Sequence, residues 1–89
     1  MPLSIVYRRG SLDDLSRLQI SEDLSATAQS IEFNVLGMGH EFWIAVEGDM
    51  IIGLTVLSRG SMKEFIIVYL EVAPSHKSHG VGTGLIKAI

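Results

Sequence analysis

The sequence predicts an α+β fold in one small domain, with the element order β-α-α-β-β-β-α. Residues 3–9 alternate between apolar and polar side chains, as a half-buried strand does. Two apolar runs, 41–46 and 50–57, flank the turn Glu47-Gly48-Asp49, whose composition is typical of a β-hairpin. A third apolar run, 64–72, leads through a glycine-rich turn into a helix. A chain of 89 residues can form one domain with a modest core.

The first strand is expected over residues 3–9, with an apolar face made of Leu3, Ile5 and Tyr7. Gly10 ends this strand. Ser11 and Asp14 lie three residues apart and predict a capping box at the start of the first helix. That helix has a narrow apolar stripe formed by Leu12, Leu15 and Leu18.

A second helix is predicted from Glu22 to Phe33, with Ser21 as its N-cap and a break before Gly37. Its apolar stripe consists of Leu24, Ala28, Ile31 and Val35. Among the strands that follow, Gly53 lies inside an apolar run and indicates a bulge or a close backbone approach. Residues 59–63 are expected to form the turn before the fourth strand.

Charge and composition argue against several classes of partner. The formal net charge of −3 gives no reason to expect nucleic acid or an anionic membrane as a partner. The sequence has no Cys, so it offers no disulfide framework and no thiol nucleophile. Its N-terminus lacks a signal-peptide pattern, and no apolar run approaches the roughly 18 residues of a membrane span. We therefore expect a cytoplasmic protein.

The apolar fraction is high for so short a chain. Hydrophobic residues make up 47% of the sequence, and the mean hydropathy is +0.36. A small domain has a large surface for its volume and is usually more polar than this. Part of the apolar surface is therefore expected to contact another chain or a missing piece of the same fold.

The stretch from Val72 to Leu85 carries the strongest chemical signal. The apolar run from Phe65 to Leu70 predicts a buried strand, and Pro74 ends its pairing because proline has no N–H for the ladder. Glycine then recurs at every second position, at Gly80, Gly82 and Gly84. A helix is expected to start at Leu85. A strand, a glycine-rich turn and a helix N-terminus together predict an anion site, because unpartnered amides and the helix dipole attract phosphate.

Two common phosphate-binding motifs match this segment poorly. The dinucleotide fingerprint G-x-G-x-x-G starting at Gly80 would need a third glycine where Leu85 stands. The Walker motif needs a glycine directly before its Lys-Ser/Thr pair, and no glycine precedes Lys77-Ser78. Binding of another phosphorylated nucleotide through the same turn stays open as an alternative.

The segment resembles the acyl-CoA signature of the GNAT N-acetyltransferase superfamily, Val-x-Pro-x-x-(Arg/Gln)-x-x-Gly-x-Gly/Ala. Four fixed positions of that signature are occupied by Val72, Pro74, Gly80 and Gly82. Lys77 departs from the pattern, because the family usually has Arg or Gln there. Lysine keeps the positive charge but lacks the planar fork of arginine. Backbone amides should still bind the phosphates, so we expect only a mild weakening.

The resemblance implies a mostly antiparallel sheet with helices packed on it. It covers nearly the whole chain but only the N-terminal half of the family domain. Residues 1–89 are therefore expected to form one partial GNAT-like domain, truncated after the start of the pyrophosphate-binding helix. The following helix of the family often supplies a Tyr thought to protonate the departing CoA thiolate, and this chain has no residue for that role.

The resemblance also implies acetyl-CoA as co-substrate and assigns the residues that bind it. The end of the fourth strand would hold the thioester carbonyl and the pantetheine arm through the backbone of Leu70, Glu71 and Val72. The turn and the helix start would hold the pyrophosphate, mainly through main-chain N–H groups, at Lys77, Ser78, His79, Gly80, Val81, Gly82, Thr83 and Gly84.

A general base is harder to assign. Some family members carry a Glu six residues before the Val of the signature, where this chain has Ile66. Glu64 lies two residues further back and faces the same side of an ideal strand, so it is one candidate. Glu71 is the other, although it points to the opposite face unless a bulge rotates it. For both, the alternative is a solvated charge at a strand end.

Other polar and aromatic residues are weaker candidates. His76 and His79 are three residues apart, but no Cys or carboxylate joins them, so we predict no metal site. Tyr69 and Trp43 are expected to pack in the core or on the sheet rather than to act as acids. By family position, the loop with Met38 and His40 borders the acceptor site.

The resemblance implies an N-acetyltransferase that moves an acetyl group from acetyl-CoA to a primary amine on a small molecule or a peptide. The alternative is a truncated or degenerate half-domain that binds CoA, or only a partner chain, without catalysis. An exposed edge of the fourth strand would pair readily with another chain, so we also expect a homodimer.

Overall fold

The computed structural model describes residues 4–61, 63–77 and 80–89. Its elements, in chain order, are β1 (Ile5–Arg9), α1 (Asp14–Arg17), β2 (Gln19–Ile20), α2 (Ala28–Glu32), β3 (Glu41–Glu47), β4 (Met50–Ser61), β5 (Glu64–Val72) and α3 (Val81–Ala88). A π-helical turn, Phe33–Gly37, continues α2, and a 3₁₀ turn, Pro74–His76, follows β5. None of the helices in these ranges is long and apolar enough to cross a bilayer.

The five strands form one sheet, which confirms the α+β class and the mostly antiparallel pairing. Its order is β1-β3-β4-β2, and β5 also pairs with β4. The pairs β1–β3, β3–β4 and β4–β5 are antiparallel. The short strand β2 was not predicted, and it pairs in parallel with Met50 and Ile51 of β4. Two residues are too few to show a period in the sequence.

The strand β4 forms the centre of the core. Every residue from Ile51 to Leu57 is buried, because helices cover both faces of this strand. On one face α3 approaches so closely that a Cβ added at Gly53 would lie 3.1 Å from Val81 Cγ1. On the other face lies α2, whose Ile31 is 1% exposed. Each such buried aliphatic side chain contributes about 1.5–3 kcal/mol to the free energy of unfolding.

Bulges interrupt the ladders on both sides of β4. Ala45 pairs with Gly53 and Val46 with Ile51, so Ile52 is an extra residue in β4. Gly53 therefore adjoins a bulge and also meets α3 closely, which confirms both readings of this glycine. In β5, the pairing partners step from Tyr69 to Ile67, which makes Val68 an extra residue there.

The first strand and helix differ from their predicted bounds. The strand begins at Ile5, and Leu3 lies outside the described residues. The helix α1 has only four residues and starts at Asp14, with Asp13 as its N-cap. Half of the predicted capping box forms, because Asp14 Oδ2 accepts a hydrogen bond from Ser11 N at 2.7 Å. The carboxylate is held mainly by Arg8, which donates to both of its oxygens at 2.7 and 2.8 Å.

The second helix is shorter than predicted. It starts at Ala28 instead of Glu22, and its N-cap is Thr27, whose side chain exchanges hydrogen bonds with Ser30. The predicted N-cap, Ser21, instead donates its backbone N–H to Ile51 O at 3.0 Å. The segment between them lies along the sheet because its amides are bound by a side chain of β5, described below.

The third helix is longer than predicted. It starts at Val81 instead of Leu85, immediately after Gly80, which has a φ of 78°. A helix start with two more glycines within its first turn has low intrinsic helix propensity, so the sequence favoured a later start. Packing of Val81 and Leu85 against the sheet overrides that preference, since both are buried.

The strand β5 is confirmed, but its predicted burial is wrong. Ile66 is 72% exposed, and exposure of the next four residues ranges from 36% to 47%. One edge of β5 pairs with β4, and no strand in the described part of the chain pairs with the other edge. The predicted turn at 59–63 also starts later, because β4 continues to Ser61. Met62, within that turn, lies outside the described residues.

Candidate functional site

A cleft of about 370 Å³ lies between the end of β5 and the start of α3. It is lined by Leu70, Val72, His76, Lys77, Gly80, Val81, Gly82 and Thr83. Seven of these were predicted to bind the cofactor, and His76 was not among them. Ser78 and His79, also predicted, lie outside the described residues.

Each of the three regularly spaced glycines, Gly80, Gly82 and Gly84, has a different structural role. Gly80 has a left-handed backbone at φ 78°, which an L side chain adopts only at a cost. Gly84 packs on β1, because a Cβ there would lie 2.4 Å from Tyr7 Cζ. Gly82 is different again: the nearest atom to an added Cβ is Val72 Cγ2, at 3.8 Å. Gly82 therefore leaves open space in the cleft, whereas Gly84 serves the fold.

The start of α3 supplies unpartnered hydrogen-bond donors to this cleft. The first intrahelical bond runs from Gly84 N to Gly80 O at 2.8 Å. The N–H groups of Val81, Gly82 and Thr83 precede it and have no acceptor within the helix. Together with the positive end of the helix dipole, they favour an anion at this position. Lys77 is exposed on the same cleft and adds a positive charge.

The end of β5 presents free backbone groups beside the same cleft. Ala73 N donates to Ile52 O at 2.8 Å, so the N–H of Ala73 points toward β4. Because N–H and C=O groups alternate between the two edges of a strand, those of Leu70 and Val72 point to the opposite edge. No strand in the described ranges pairs with that edge. An extended ligand can therefore bind there.

Glu71 lies on the other face of β5, toward α2. On an ideal strand it would point away from Ile66, but the extra residue Val68 reverses the alternation. Its carboxylate accepts backbone hydrogen bonds from Ser25 at 2.8 Å and from Ala26 at 3.2 Å. It thereby fixes the segment that precedes α2 to the sheet, which is why α2 starts late.

The pKa of Glu71 reflects these contacts. Burial alone would raise the pKa of this carboxyl, but hydrogen bonds from the Tyr69 hydroxyl and from the amides of Ser25 and Ala26 outweigh burial and lower it. The same hydrogen bond to Glu71, with burial and the carboxylate charge, raises the pKa of Tyr69 to about 12. At neutral pH the pair consists of a carboxylate and a neutral phenol.

A second cleft, of about 380 Å³, lies between α2 and this face of the sheet. Its walls are mostly apolar, and its polar groups come from three hydroxyls and one amide; it is lined by Ser25, Ala26, Ser30, Ile31, Asn34, Leu54, Val56, Val68 and Tyr69. The bulge places both Val68 and Tyr69 on this cleft. Tyr69 was expected only to pack. Its contact with Glu71 could have been predicted, because residues two apart on a strand lie on the same face.

The other predicted residues line neither cleft. Glu64 is exposed at the start of β5, and six residues of strand separate it from Leu70 by about 20 Å. Met38 is 56% exposed after the π-helical turn. His40 Nδ1 lies 3.2 Å from Asn34 Oδ1, and the Trp43 indole donates to Glu41.

The part of the chain that the structure describes contains no candidate metal site. No group of three or more His, Asp or Glu side chains there could hold a metal ion. His76 instead contacts Glu47, with 3.2 Å between Nε2 and Oε1. The cleft at α3 therefore offers backbone amides and one lysine, which suit a phosphate group.

Comparison with protein families gives one match. Residues 11–89 match the family model described as the acetyltransferase (GNAT) family. No curated protein matches the chain.

Solved structures show the same fold. An acetyltransferase of the GNAT family from Staphylococcus aureus Mu50 has a TM-score of 0.60 and 17% identity, covering 94% of this chain and 63% of its own. A GNAT-family protein from Desulfovibrio desulfuricans has a TM-score of 0.61 and 18% identity, covering 94% and 62%. A mutant AtaT toxin bound to the C-terminus of the antitoxin AtaR has a TM-score of 0.53 and 16% identity, covering 93% and 60%. The chain thus spans less than two thirds of each of these proteins.

Proposed function

This chain belongs to the GNAT acetyltransferase family, and from that premise we propose that it transfers an acetyl group from acetyl-CoA to a primary amine. The observation that carries the proposal is the cleft between β5 and α3. There, Gly80 turns the chain, Gly82 leaves room, and the α3 amides have no partner within the helix. Such a cleft suits the diphosphate of CoA.

The cofactor would extend from this cleft along the outer edge of β5. The diphosphate would accept hydrogen bonds from the N–H groups of Val81, Gly82 and Thr83, with the charge of Lys77 beside it. The pantetheine arm carries amide groups, which can pair with the outward backbone groups of Leu70 and Val72 as a short strand would. One of these N–H groups would polarise the thioester carbonyl.

The acceptor amine would enter through the second cleft. Its apolar walls and hydroxyl groups suit the uncharged part of a compact acceptor molecule. The negative charge of Glu71 attracts the protonated amino group of that molecule to the rim of the cleft. In the transfer, the amine nitrogen forms a bond to the carbonyl carbon and the carbon–sulfur bond breaks. The protonated amine loses one proton to water before its nitrogen attacks and a second one afterwards, and the thiolate gains one proton from water.

Glu71 is the better supported of the two predicted catalytic carboxylates. It lies beside the reacting end of the proposed cofactor path, whereas Glu64 is at the far end of β5. Its lowered pKa makes it a weak base, so its proposed role is to attract the protonated amine, which then gives its protons to water. Activity of Glu71→Gln and Glu64→Gln tests this: only the first should lose turnover.

Ligand-induced stabilisation tests the cofactor. Acetyl-CoA should raise the melting temperature by mass action, and NAD and ATP should do so much less. Equal shifts with all three would favour a general nucleotide binder. Clear binding of acetyl-CoA without product from a panel of amines would favour the alternative of a CoA-binding half-domain that has no turnover.

We also propose that two copies associate through β5. Its outer edge has no described pairing strand, and Ile66 and Val68, which precede the residues proposed to bind the pantetheine arm, are 72% and 47% exposed. An exposed edge is a template for pairing, and a two-fold axis would use the same edge twice. Sedimentation over a wide concentration range should show a dimer. A monomer at high micromolar concentration with a cooperative melt would contradict it.

A further inference from the structure

The histidine that lines the anion cleft is tied to the hairpin between β3 and β4. His76 Nε2 lies 3.2 Å from Glu47 Oε1, and His76 Nδ1 lies 2.9 Å from Ser75 Oγ. Both side chains of the His76–Glu47 pair are 21% exposed. The two residues are 29 positions apart in the sequence, so this contact joins distant parts of the chain.

Hydrogen-bond chemistry fixes the role of each ring nitrogen. An ionised carboxylate only accepts hydrogen bonds, so Glu47 requires a proton on His76 Nε2. In the neutral ring, Nδ1 then accepts from the Ser75 hydroxyl. Both nitrogens are therefore engaged, which suits a positioning role for His76 and leaves neither nitrogen free to act as a base.

The tether anchors the connection between β5 and α3. At its start, Ala73 N donates to Ile52 O of β4 at 2.8 Å. The next two backbone bonds, from His76 N to Ala73 O and from Lys77 N to Pro74 O, stay within the connection. Among the described residues, the His76–Glu47 contact is the one side-chain hydrogen bond from positions 73–77 to another part of the chain.

We propose that Glu47, acting through His76, is a positioning residue for the diphosphate of acetyl-CoA. The proposal rests on the proposed function, because it concerns the same cleft. With the tether in place, Lys77 and the start of α3 are held in the geometry that binds phosphate. Without it, the connection samples other conformations, and the apparent affinity falls with the fraction of molecules that remain competent.

Binding measurements with a matched set of variants test this role. Glu47→Ala and His76→Ala should each weaken acetyl-CoA binding by about fivefold, the change expected for one lost hydrogen bond. The double variant should lose no more than either single one. Glu47→Gln keeps an acceptor oxygen and should retain most of the affinity. Asp49→Asn removes a carboxylate from the same hairpin and serves as the control.

S-acetylpantetheine, which lacks the diphosphate, separates positioning from general damage. Its affinity should be the same in all of these variants. A parallel loss of affinity for both ligands would overturn the proposal, because it would indicate that the fold and not the diphosphate site had changed. Additive losses in the double variant would overturn it as well.

Hydrogen exchange in the ligand-free chain gives a readout that does not depend on binding. Glu47→Ala should speed exchange of the His76 and Lys77 amides, while that of Ala45 in β3 stays slow. Unchanged exchange at His76 and Lys77 would overturn the tether even if acetyl-CoA binds. If the parent chain fails to bind acetyl-CoA, the proposed function fails, and with it the binding role of Glu47.

Discussion

Substitution of Gly84 and Gly82 by alanine should separate folding from binding within two residues of one helix. An added Cβ at Gly84 would lie 2.4 Å from Tyr7 Cζ and 2.6 Å from Cε1, deep inside contact distance. At Gly82 the nearest atom would be Val72 Cγ2 at an ordinary 3.8 Å. Gly84→Ala must therefore push the Tyr7 ring or α3 aside, whereas Gly82→Ala leaves the fold unchanged and fills part of the cleft.

The expected magnitudes follow from two opposing effects. Overpacking at Gly84 costs about 1–3 kcal/mol, and the better helix propensity of alanine returns up to about 1 kcal/mol. The net loss in the free energy of unfolding is then about 1 kcal/mol. Gly82→Ala, which meets no clash, should gain about 0.5 kcal/mol. A difference of about 1.5 kcal/mol corresponds to roughly 10 °C in melting temperature for a chain of this size.

Thermal melts and calorimetry with acetyl-CoA provide the assay. Gly84→Ala should melt lower and, where folded, keep its affinity, whereas Gly82→Ala should melt slightly higher and lose at least about tenfold in affinity. Tyr7→Leu removes the clashing atoms, so Gly84→Ala should cost less in that background. Equal stability of the two alanine variants would refute the packing argument, and equal affinity of Gly82→Ala and the parent would remove Gly82 from the site.

Three further substitutions test other parts of the structure. Gly80→Ala should destabilise the chain by about 1–2 kcal/mol because of its positive φ, and Gly80→Asn by less; equal urea midpoints for the two would contradict this. Asp14→Asn should cost about 2 kcal/mol at neutral pH, less than a fully buried pair because Arg8 is 39% exposed. Since hydrogen bonds from Arg8 hold the pKa of Asp14 well below its usual range, that contribution is present above about pH 4 and is lost as the pH falls further; a difference independent of pH would argue against the pair. Tyr69→Phe removes a hydrogen bond that lowers the pKa of Glu71, so NMR titration of the carboxyl should show a higher pKa, and an unchanged value would contradict that contact.

Local patterns predicted the strands better than the helices. The alternation of β1 and the turn Glu47-Gly48-Asp49 are properties of neighbouring residues, and the sheet follows them. The start of α2 depends instead on Glu71, which binds amides 45 and 46 positions away. A contact between residues so far apart cannot be predicted from the residues around the helix start. Ser21 was therefore predicted as the N-cap of α2, although the N-cap is Thr27.

The candidate site was predictable in its backbone but not in its side chains. Pro74, Gly80 and Gly82 fix a turn and a helix start by their own geometry, and the cleft forms there. The role of Gly84 could not be predicted from the sequence, because it depends on close packing against the ring of Tyr7 on β1. The burial of β5 was overestimated for a related reason: an apolar run records what a strand can bury and not which neighbours cover it.

The extra residue Val68 works as a change of phase along β5. Before Val68, even-numbered side chains such as Ile66 lie on the face of the sheet that carries α2. After Val68, odd-numbered side chains such as Tyr69 and Glu71 lie on that face. Substitutions at Ile66 and at Tyr69 therefore modify the same face although their spacing is odd. Deleting Val68 alone would exchange the faces of every later residue, turning the side chains of Leu70 and Val72 toward α2 and the Glu71 carboxylate away from Ser25. A one-residue deletion here should thus be far more damaging than any single substitution, and loops elsewhere in the chain are where length can vary.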